Sequence, residues 1–249
     1  MGLKILQCLG GESRSMSLSE LAALANLGRP SALRLLRTLE NLGYVSRDVG
    51  KGYRLEVGGS VAGMQGDLSA LRRLANHFCR ELQSKCGETV TLARLLDDHI
   101  RVVDVFESPH HIKMSNTVGR ILQPYASSLG KAIAAFQDEA VTQTLLDVYG
   151  VYRLTKHTLV DQLAIQNEFA TVREQGYAED REETVDGGYC IGFPISNEGR
   201  VSAAISISSP KFRVTPEVTE RLTNLLREAA GEITAELEGS APKGHTKTG

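Results

Sequence analysis

The stretch Pro30-Ser31-Ala32-Leu33-Arg34-Leu35-Leu36-Arg37-Thr38-Leu39 decides how the first quarter of the chain folds. Proline stands where a helix tolerates it best, in the first turn. From there Ala32, Leu35, Leu36, Leu39 and Leu42 recur at helical spacing and bury one side. Ser31, Arg34, Arg37, Thr38 and Asn41 are left on the other. Upstream, Ser17-Leu18-Ser19-Glu20 is a capping box, and Leu18, Leu21, Ala22, Leu24 and Ala25 supply an apolar face, so a helix ends near Asn26-Leu27-Gly28. Leu3, Ile5, Leu6 and Leu9 predict a short helix before it, stopping at Gly10-Gly11. Downstream, Tyr44-Val45-Ser46 and Tyr53-Arg54-Leu55 read as two strands around Asp48-Val49-Gly50-Lys51-Gly52. Three short helices and a hairpin make a winged helix-turn-helix, with Leu6, Leu9, Leu21, Leu24, Leu36, Leu39, Val45 and Leu55 as its expected core.

Charge is distributed in keeping with that layout. The whole chain carries a net −2, but residues 1–62 hold eight Lys/Arg against five Asp/Glu, leaving a basic module on an acidic body. Arg29, Arg34, Arg37, Arg47, Lys51 and Arg54 share their stretch with only two acids, Glu40 and Asp48. A recognition helix must turn guanidinium and hydroxyl groups outward while its leucines hold the domain together. Ser31, Arg34, Arg37 and Thr38 are therefore expected at the major groove or its phosphates. Arg47, Lys51 and Arg54, on the wing, are expected at phosphates or the minor groove.

The remaining chain reads as an α+β domain. Leu68, Leu71, Leu74, Ala75, Phe78 and Leu82 predict a connecting helix, followed by strands at 89–95 and 100–106, helices from about 128 and over 159–175, and strands at 188–195 and 201–208. A last helix runs from Pro216 to about Glu238. Small residues in Pro124–Ala134 lead into an apolar helix, an arrangement that serves an anion-binding helix start or plain tight packing. Gly130 permits close backbone approach, and Lys131 is read as solvated rather than as an anion ligand. The acids in Glu179-Asp180-Arg181-Glu182-Glu183 read as a solvated turn, and Cys190 as a buried structural thiol. Ser206 and Ser208 alternate with Ile205 and Ile207 and so share a strand face able to border a polar pocket.

Composition, with 41% hydrophobic and 23% charged residues, is that of a soluble globular protein. No apolar run approaches the length of a membrane span, and the first residues turn polar too soon for a secretory signal, so a cytoplasmic location without membrane contact is expected. His77, Cys79, Cys86, His99, His110 and His111 match no compact ligand spacing, and His110-His111 would point apart in an extended strand; no metal and no cofactor is expected. No nucleophile, base and orienting group stand at diagnostic spacing, and no dinucleotide-binding glycine motif occurs, so no catalytic residue is expected.

Both halves resemble one family, the IclR-type bacterial transcriptional regulators. Pro30–Leu39 resembles its recognition helix, and Leu42-Gly43-Tyr44-Val45 with Gly52-Tyr53-Arg54-Leu55 its wing. Ser127-Ser128-Leu129-Gly130-Lys131-Ala132-Ile133-Ala134 and Gly176-Tyr177-Ala178-Glu179-Asp180, running on to Cys190-Ile191, are similar to its sensor signatures. The resemblance implies an α+β two-domain chain: a winged helix-turn-helix at 1–60, a linker helix at 61–83, a GAF-like or profilin-like α/β sensor at 84–238 and a flexible tail at 239–249. It further implies a repressor or activator that binds a palindromic operator as a homodimer or dimer of dimers, under control of a small organic or aromatic carboxylate. Carried over by motif, Ser128, Leu129, Gly130, Asp180, Cys190, Ser206 and Ser208 would face that effector. A winged-helix adaptor that binds protein, and an enzyme acting on a small carboxylate, are the competing readings.

Overall fold

The computed structural model describes the backbone of residues 2–10, 15–41, 44–48, 52–55, 61–96 and 98–239. Within these, side chains are described at 4–9, 15–36, 38–39, 44–45, 52–53, 71–96 and 98–239. The chain divides into two compact units, Met1–Ser69 and Ala70–Gly249.

The first unit contains α1 (Gly2–Gly10), α2 (Leu18–Leu24), α3 (Arg29–Asn41) and an antiparallel hairpin of β1 (Val45–Asp48) and β2 (Gly52–Leu55). Ser17 begins α2 as the capping box requires: its hydroxyl accepts from the Glu20 amide at 3.3 Å, and Glu20 Oε2 accepts from the Ser17 amide at 2.7 Å. The reversal after α2 is made by Asn26, at φ 56°, rather than by Gly28. Asparagine is among the few residues with a Cβ that tolerate this region. Ile5, Leu9, Met16, Leu21, Ala25, Leu36, Leu39, Val45 and Tyr53 form the core, with Leu6 against its edge. Leu24, expected inside, is 62% exposed, because Leu21 and Ala25 already occupy the inward positions of that turn. Leu42 and the Leu55 side chain lie outside the described residues.

Met16 and Tyr53 exchange backbone hydrogen bonds of 2.7 Å, tying the segment before α2 to the hairpin. Gly52 makes this approach feasible: a Cβ there would stand 2.3 Å from the Met16 carbonyl oxygen, and its φ of +112° favours glycine independently.

Helix α4 (Val61–Cys86) crosses the division between the units. The second unit is built on a six-stranded, wholly antiparallel sheet ordered β5-β4-β3-β8-β7-β6. Its strands are β3 (Thr89–Leu96), β4 (His99–Phe106), β5 (Ile121–Leu122), β6 (Ala178–Arg181), β7 (Gly188–Asn197) and β8 (Arg200–Pro210). One face carries α5 (Ser128–Ala134), α6 (Glu139–Tyr149) and α7 (Gln162–Gln175), packed through Tyr125, Leu129, Ile133, Leu145, Ile165 and Phe169. Alternation along β8 sends Ala204, Ser206 and Ser208 to this face and Ile205 and Ile207 to the other. Helix α8 (Pro216–Gly239) packs on β7 and β8, and the C-terminal part of α4 on α8 and, through the Arg72–Asp104 ion pair of 2.8 Å, on β4.

Several elements differ from the sequence-based expectation. Helix α7 starts at Gln162, not 159, because Asp161 caps it by accepting from the Ala164 amide at 3.0 Å. Helix α6 and the edge strand β6 were not foreseen. In β6 the acids form no solvated turn: Glu179, Asp180 and Glu183 are all buried. Glu179 pairs with Arg181 and Tyr189, while Asp180 accepts from the amides of Glu183 at 2.8 Å and Thr184 at 3.2 Å and from the Thr184 hydroxyl. His110 and His111 lie in a bend, not a strand.

Lys131 is the largest departure. Its side chain is wholly buried, with Nζ 2.7 Å from both Glu168 of α7 and Glu183 of the segment after β6. Burying an ammonium among apolar neighbours is tolerated only with matched charge, and this cluster supplies it. Burial pushes the Glu183 carboxyl up to about 7, against the opposing pull of Lys131. Folded protein therefore holds a proton on Glu183 that the unfolded chain has released between about pH 4.5 and 7.

Urea denaturation should show Glu183's contribution intact below about pH 4.5 and lost as pH rises through about 7. Glu183→Gln should flatten that part of the pH profile, and an unchanged profile would reject it. In the first unit, Ser17→Ala should cost about 1 kcal/mol by removing the cap of α2, measured by unfolding of the full chain.

Candidate functional site

In the first unit, the exposed side of α3 presents Ser31 and Arg34 one turn apart, with Thr38 one turn further. Its buried side inserts Ala32, Leu36 and Leu39 into the core. The Thr38 hydroxyl donates to the Arg34 carbonyl at 3.1 Å, which orients its oxygen along the helix and leaves it able to accept. Arg37 belongs to α3, and Arg47 and Arg54 to β1 and β2, where the register pairs Ser46 with Arg54 and Arg47 with Tyr53. Their side chains, and Lys51 as a whole, lie outside the described residues.

The second unit holds a cavity of about 390 Å³ between the sheet and the start of α5. Strand register explains how distant residues reach it. Asp180, Cys190, Ser208 and Thr89 stand in one cross-strand row, and Gly192, Ser206 and Thr91 in the next. Gly192 lets α5 settle on the sheet, since a Cβ there would be 2.7 Å from the Ser128 carbonyl oxygen. Ser128 and Leu129 thereby complete the wall opposite the strands, and six of the seven sensor residues expected from the sequence line one space: Ser128, Leu129, Asp180, Cys190, Ser206 and Ser208.

Gly130 does not line it. Its missing side chain is filled by the Gln123 carbonyl oxygen, which a Cβ would meet at 2.0 Å. Its amide donates to the N-cap hydroxyl of Ser127 at 3.0 Å and so is not free for an anion. Lys131 faces its two carboxylates instead of the cavity.

The third side of the cavity comes from the irregular segment 107–120, which contributes Met114 and Arg120 among others. Thr89 anchors this segment: its hydroxyl donates to the Met114 carbonyl at 2.6 Å and accepts from the Ser108 amide at 3.1 Å. Hydrogen bonds of 2.9 Å between Val102 and the 119–120 turn hold its other end. Arg120 and Gln123 are lining residues the sequence reading missed. No local pattern marks either one; the signal is purely positional, just before the Ser127–Ala134 signature.

Among the described residues the cavity is lined by one cation, Arg120, and one carboxyl, Asp180. Desolvation raises the Asp180 carboxyl above its ordinary range, opposed by its three hydrogen bonds. Desolvation, then the nearby Asp180 charge, pushes the Cys190 thiol upward, so it stands as a neutral, weakly polar wall group and not a thiolate nucleophile. Such a wall can hold a small polar anion without covalent chemistry. Among the described residues, donor atoms close enough to share a metal ion come from His157, Glu182 and Asp186, at the surface and away from the cavity wall. None of the six histidines and cysteines weighed from sequence belongs to that group.

Comparison with known proteins agrees with both halves. The model of the bacterial transcriptional regulator IclR C-terminal domain matches residues 67–235, and that of the IclR helix-turn-helix domain matches residues 2–49. The chain is 31% identical over 236 residues to the HTH-type transcriptional regulator KdgR of Escherichia coli, covering 94% of this chain and 89% of the relative. It is 32% identical over 244 residues to the transcriptional repressor IclR of the same species, covering 96% and 89%. Its fold is similar to the crystal structure of Thermotoga maritima IclR, with a TM-score of 0.65 and 27% identity over 95% of this chain and 97% of that one. Among the described residues no helix is long and apolar enough to cross a membrane. A helix-turn-helix unit, an antiparallel α+β unit with its own cavity, and these matches over nearly the whole length show that the chain belongs to the IclR family of bacterial transcriptional regulators, and is a regulator of transcription, not an enzyme.

Proposed function

We propose that this regulator binds a palindromic operator through α3 and the wing, as a homodimer or dimer of dimers, and that a small carboxylate in the cavity of the second unit controls the binding. The observation that carries the effector reading is convergence. Residues from four separate stretches, Ser128 and Leu129, Asp180, Cys190, and Ser206 with Ser208, meet around one polar space. A cavity of about 390 Å³ falls within the size range of small-molecule sites. Coupling to DNA is then a matter of differential affinity between conformations of the two units, and its sign depends on which conformation the ligand favours.

On the DNA side, Arg34 is proposed as a base reader and Lys51 as a phosphate contact. The support is the exposed face of α3, where Ser31, Arg34 and Thr38 follow one another at helical spacing. Arg34→Ala should lower affinity for a selected operator more than for random duplex, by about 1–3 kcal/mol of discrimination. Lys51→Ala should weaken both duplexes alike and reduce the salt dependence by about one counterion. Electrophoretic shift or anisotropy titrations at several salt concentrations read both; equal losses on both duplexes for Arg34→Ala would remove it from base reading. Failure to bind any duplex at low salt would favour the protein-binding adaptor.

For the cavity, Asp180→Asn keeps an oxygen for the Glu183 and Thr184 amides while removing the charge. It should reduce the response of DNA binding to effector and leave effector-free DNA affinity unchanged. An unaltered effector response would take Asp180 out of the ligand contacts.

A further inference from the structure

We propose that the effector is a hydroxylated aliphatic carboxylate, and that Gln123 reads its hydroxyl while Arg120 holds its carboxylate. The inference rests on the effector reading of the cavity and narrows it.

Gln123 is 5% exposed, lines the cavity, and its side-chain oxygen Oε1 is buried with no hydrogen-bond partner among the described residues. A buried carboxamide oxygen without a partner costs free energy that a bound donor can recover. The residue is held in place by its main chain. The Gln123 carbonyl accepts from the Ser127 hydroxyl at 2.8 Å and fills the space beside Gly130. A carboxamide offers an acceptor and a donor side by side. The unpartnered Oε1 calls for a donor, which a ligand hydroxyl supplies and a carboxylate does not.

The distribution of charge places the other end of the ligand. Arg120 lines the cavity and makes no ion pair among the described residues. The neighbouring cation Lys131 is already matched by Glu168 and Glu183. Among the described residues an anionic group therefore has one cationic partner, Arg120. Asp180 disfavours an anion on its own side, and its oxygens already take two amides and a hydroxyl, which leaves room to accept from one ligand hydroxyl and not to hold an ammonium. This argues against an amino acid.

The rest of the wall agrees. Serine hydroxyls at 115, 128, 206 and 208 surround the space, and no aromatic ring lines it among the described residues. An aromatic ligand would find no ring to stack on and would leave these hydroxyls facing apolar surface. A flexible hydroxylated chain satisfies them.

Calorimetric titration of the full chain tests this with D-glycerate, D-gluconate, hexanoate, benzoate, L-serine and sorbitol. At least one hydroxylated acid should bind tenfold or more tightly than hexanoate, benzoate and L-serine, and sorbitol should not bind. Gln123→Met, similar in size but without the carboxamide, should weaken the hydroxylated acid tenfold or more and leave hexanoate within twofold. Arg120→Gln should weaken both carboxylates. Benzoate, hexanoate or L-serine binding as tightly as the hydroxylated acids would overturn the proposal, as would equal losses for both acids in Gln123→Met. If that variant does not fold, by thermal unfolding, the wild-type ranking decides alone. Benzoate binding that also shifts DNA affinity would uphold the effector reading while rejecting this refinement. No binding by any of the carboxylates would overturn both.

Discussion

The ammonium group of Lys131 lies out of contact with solvent, and a buried charge of that kind persists only where opposite charge is brought to it. Here Glu168 comes from α7 and Glu183 from the segment that follows β6, each 2.7 Å away. Three elements remote in sequence are thus held at one point. The consequence reaches the cavity directly. Helix α5 carries Ser128 and Leu129 on the turn next to Lys131, and Glu183 is three residues beyond Asp180, whose carboxyl accepts from the Glu183 amide. The ion cluster stands behind the wall and orients it without entering the space a ligand would occupy.

Glycine does the complementary work of close approach. Gly192 brings the sheet against the Ser128 carbonyl, and Gly130 admits the Gln123 carbonyl into the first turn of α5. A side chain at either position would collide with main chain rather than with a movable group. The two glycines therefore set how closely α5 approaches the sheet and the Gln123 carbonyl, while the cross-strand row of Asp180, Cys190, Ser208 and Thr89 sets the cavity floor. Thr89 links floor and roof, because the same hydroxyl that ends this row anchors the segment carrying Met114. In the first unit Gly52 has the same role on a smaller scale, admitting the Met16 carbonyl next to the hairpin.

The division of labour between the two faces of the sheet follows from strand alternation. On β8 the isoleucines at 205 and 207 pack toward α8, which frees Ser206 and Ser208 to be polar on the other side. On β6 neighbouring acids serve opposite faces, Glu179 with Tyr189 and Arg181, Asp180 with the cavity. A stretch that reads as one acidic cluster is in fact two independent sites.

Sequence alone determined what depends on near neighbours. The capping box at Ser17, the proline-started α3 with its basic exposed side, the hairpin and the shared face of Ser206 and Ser208 are all set by spacing within a few residues, where helical and strand periods act directly. Short signatures also marked Ser128, Leu129, Asp180, Cys190, Ser206 and Ser208 before any geometry was known. Tertiary structure decided the rest. Leu24 is exposed because its neighbours fill the inward positions, Asn26 turns the chain where glycine was expected, and Lys131 is buried because two distant carboxylates meet it. Gly130 contacts main chain instead of the cavity, while Arg120 and Gln123 line that cavity without any local pattern to announce them. The physical reason is common to all of these. Charge pairing, burial and cavity walls are relations between segments tens of residues apart, and no local period encodes which segments will meet.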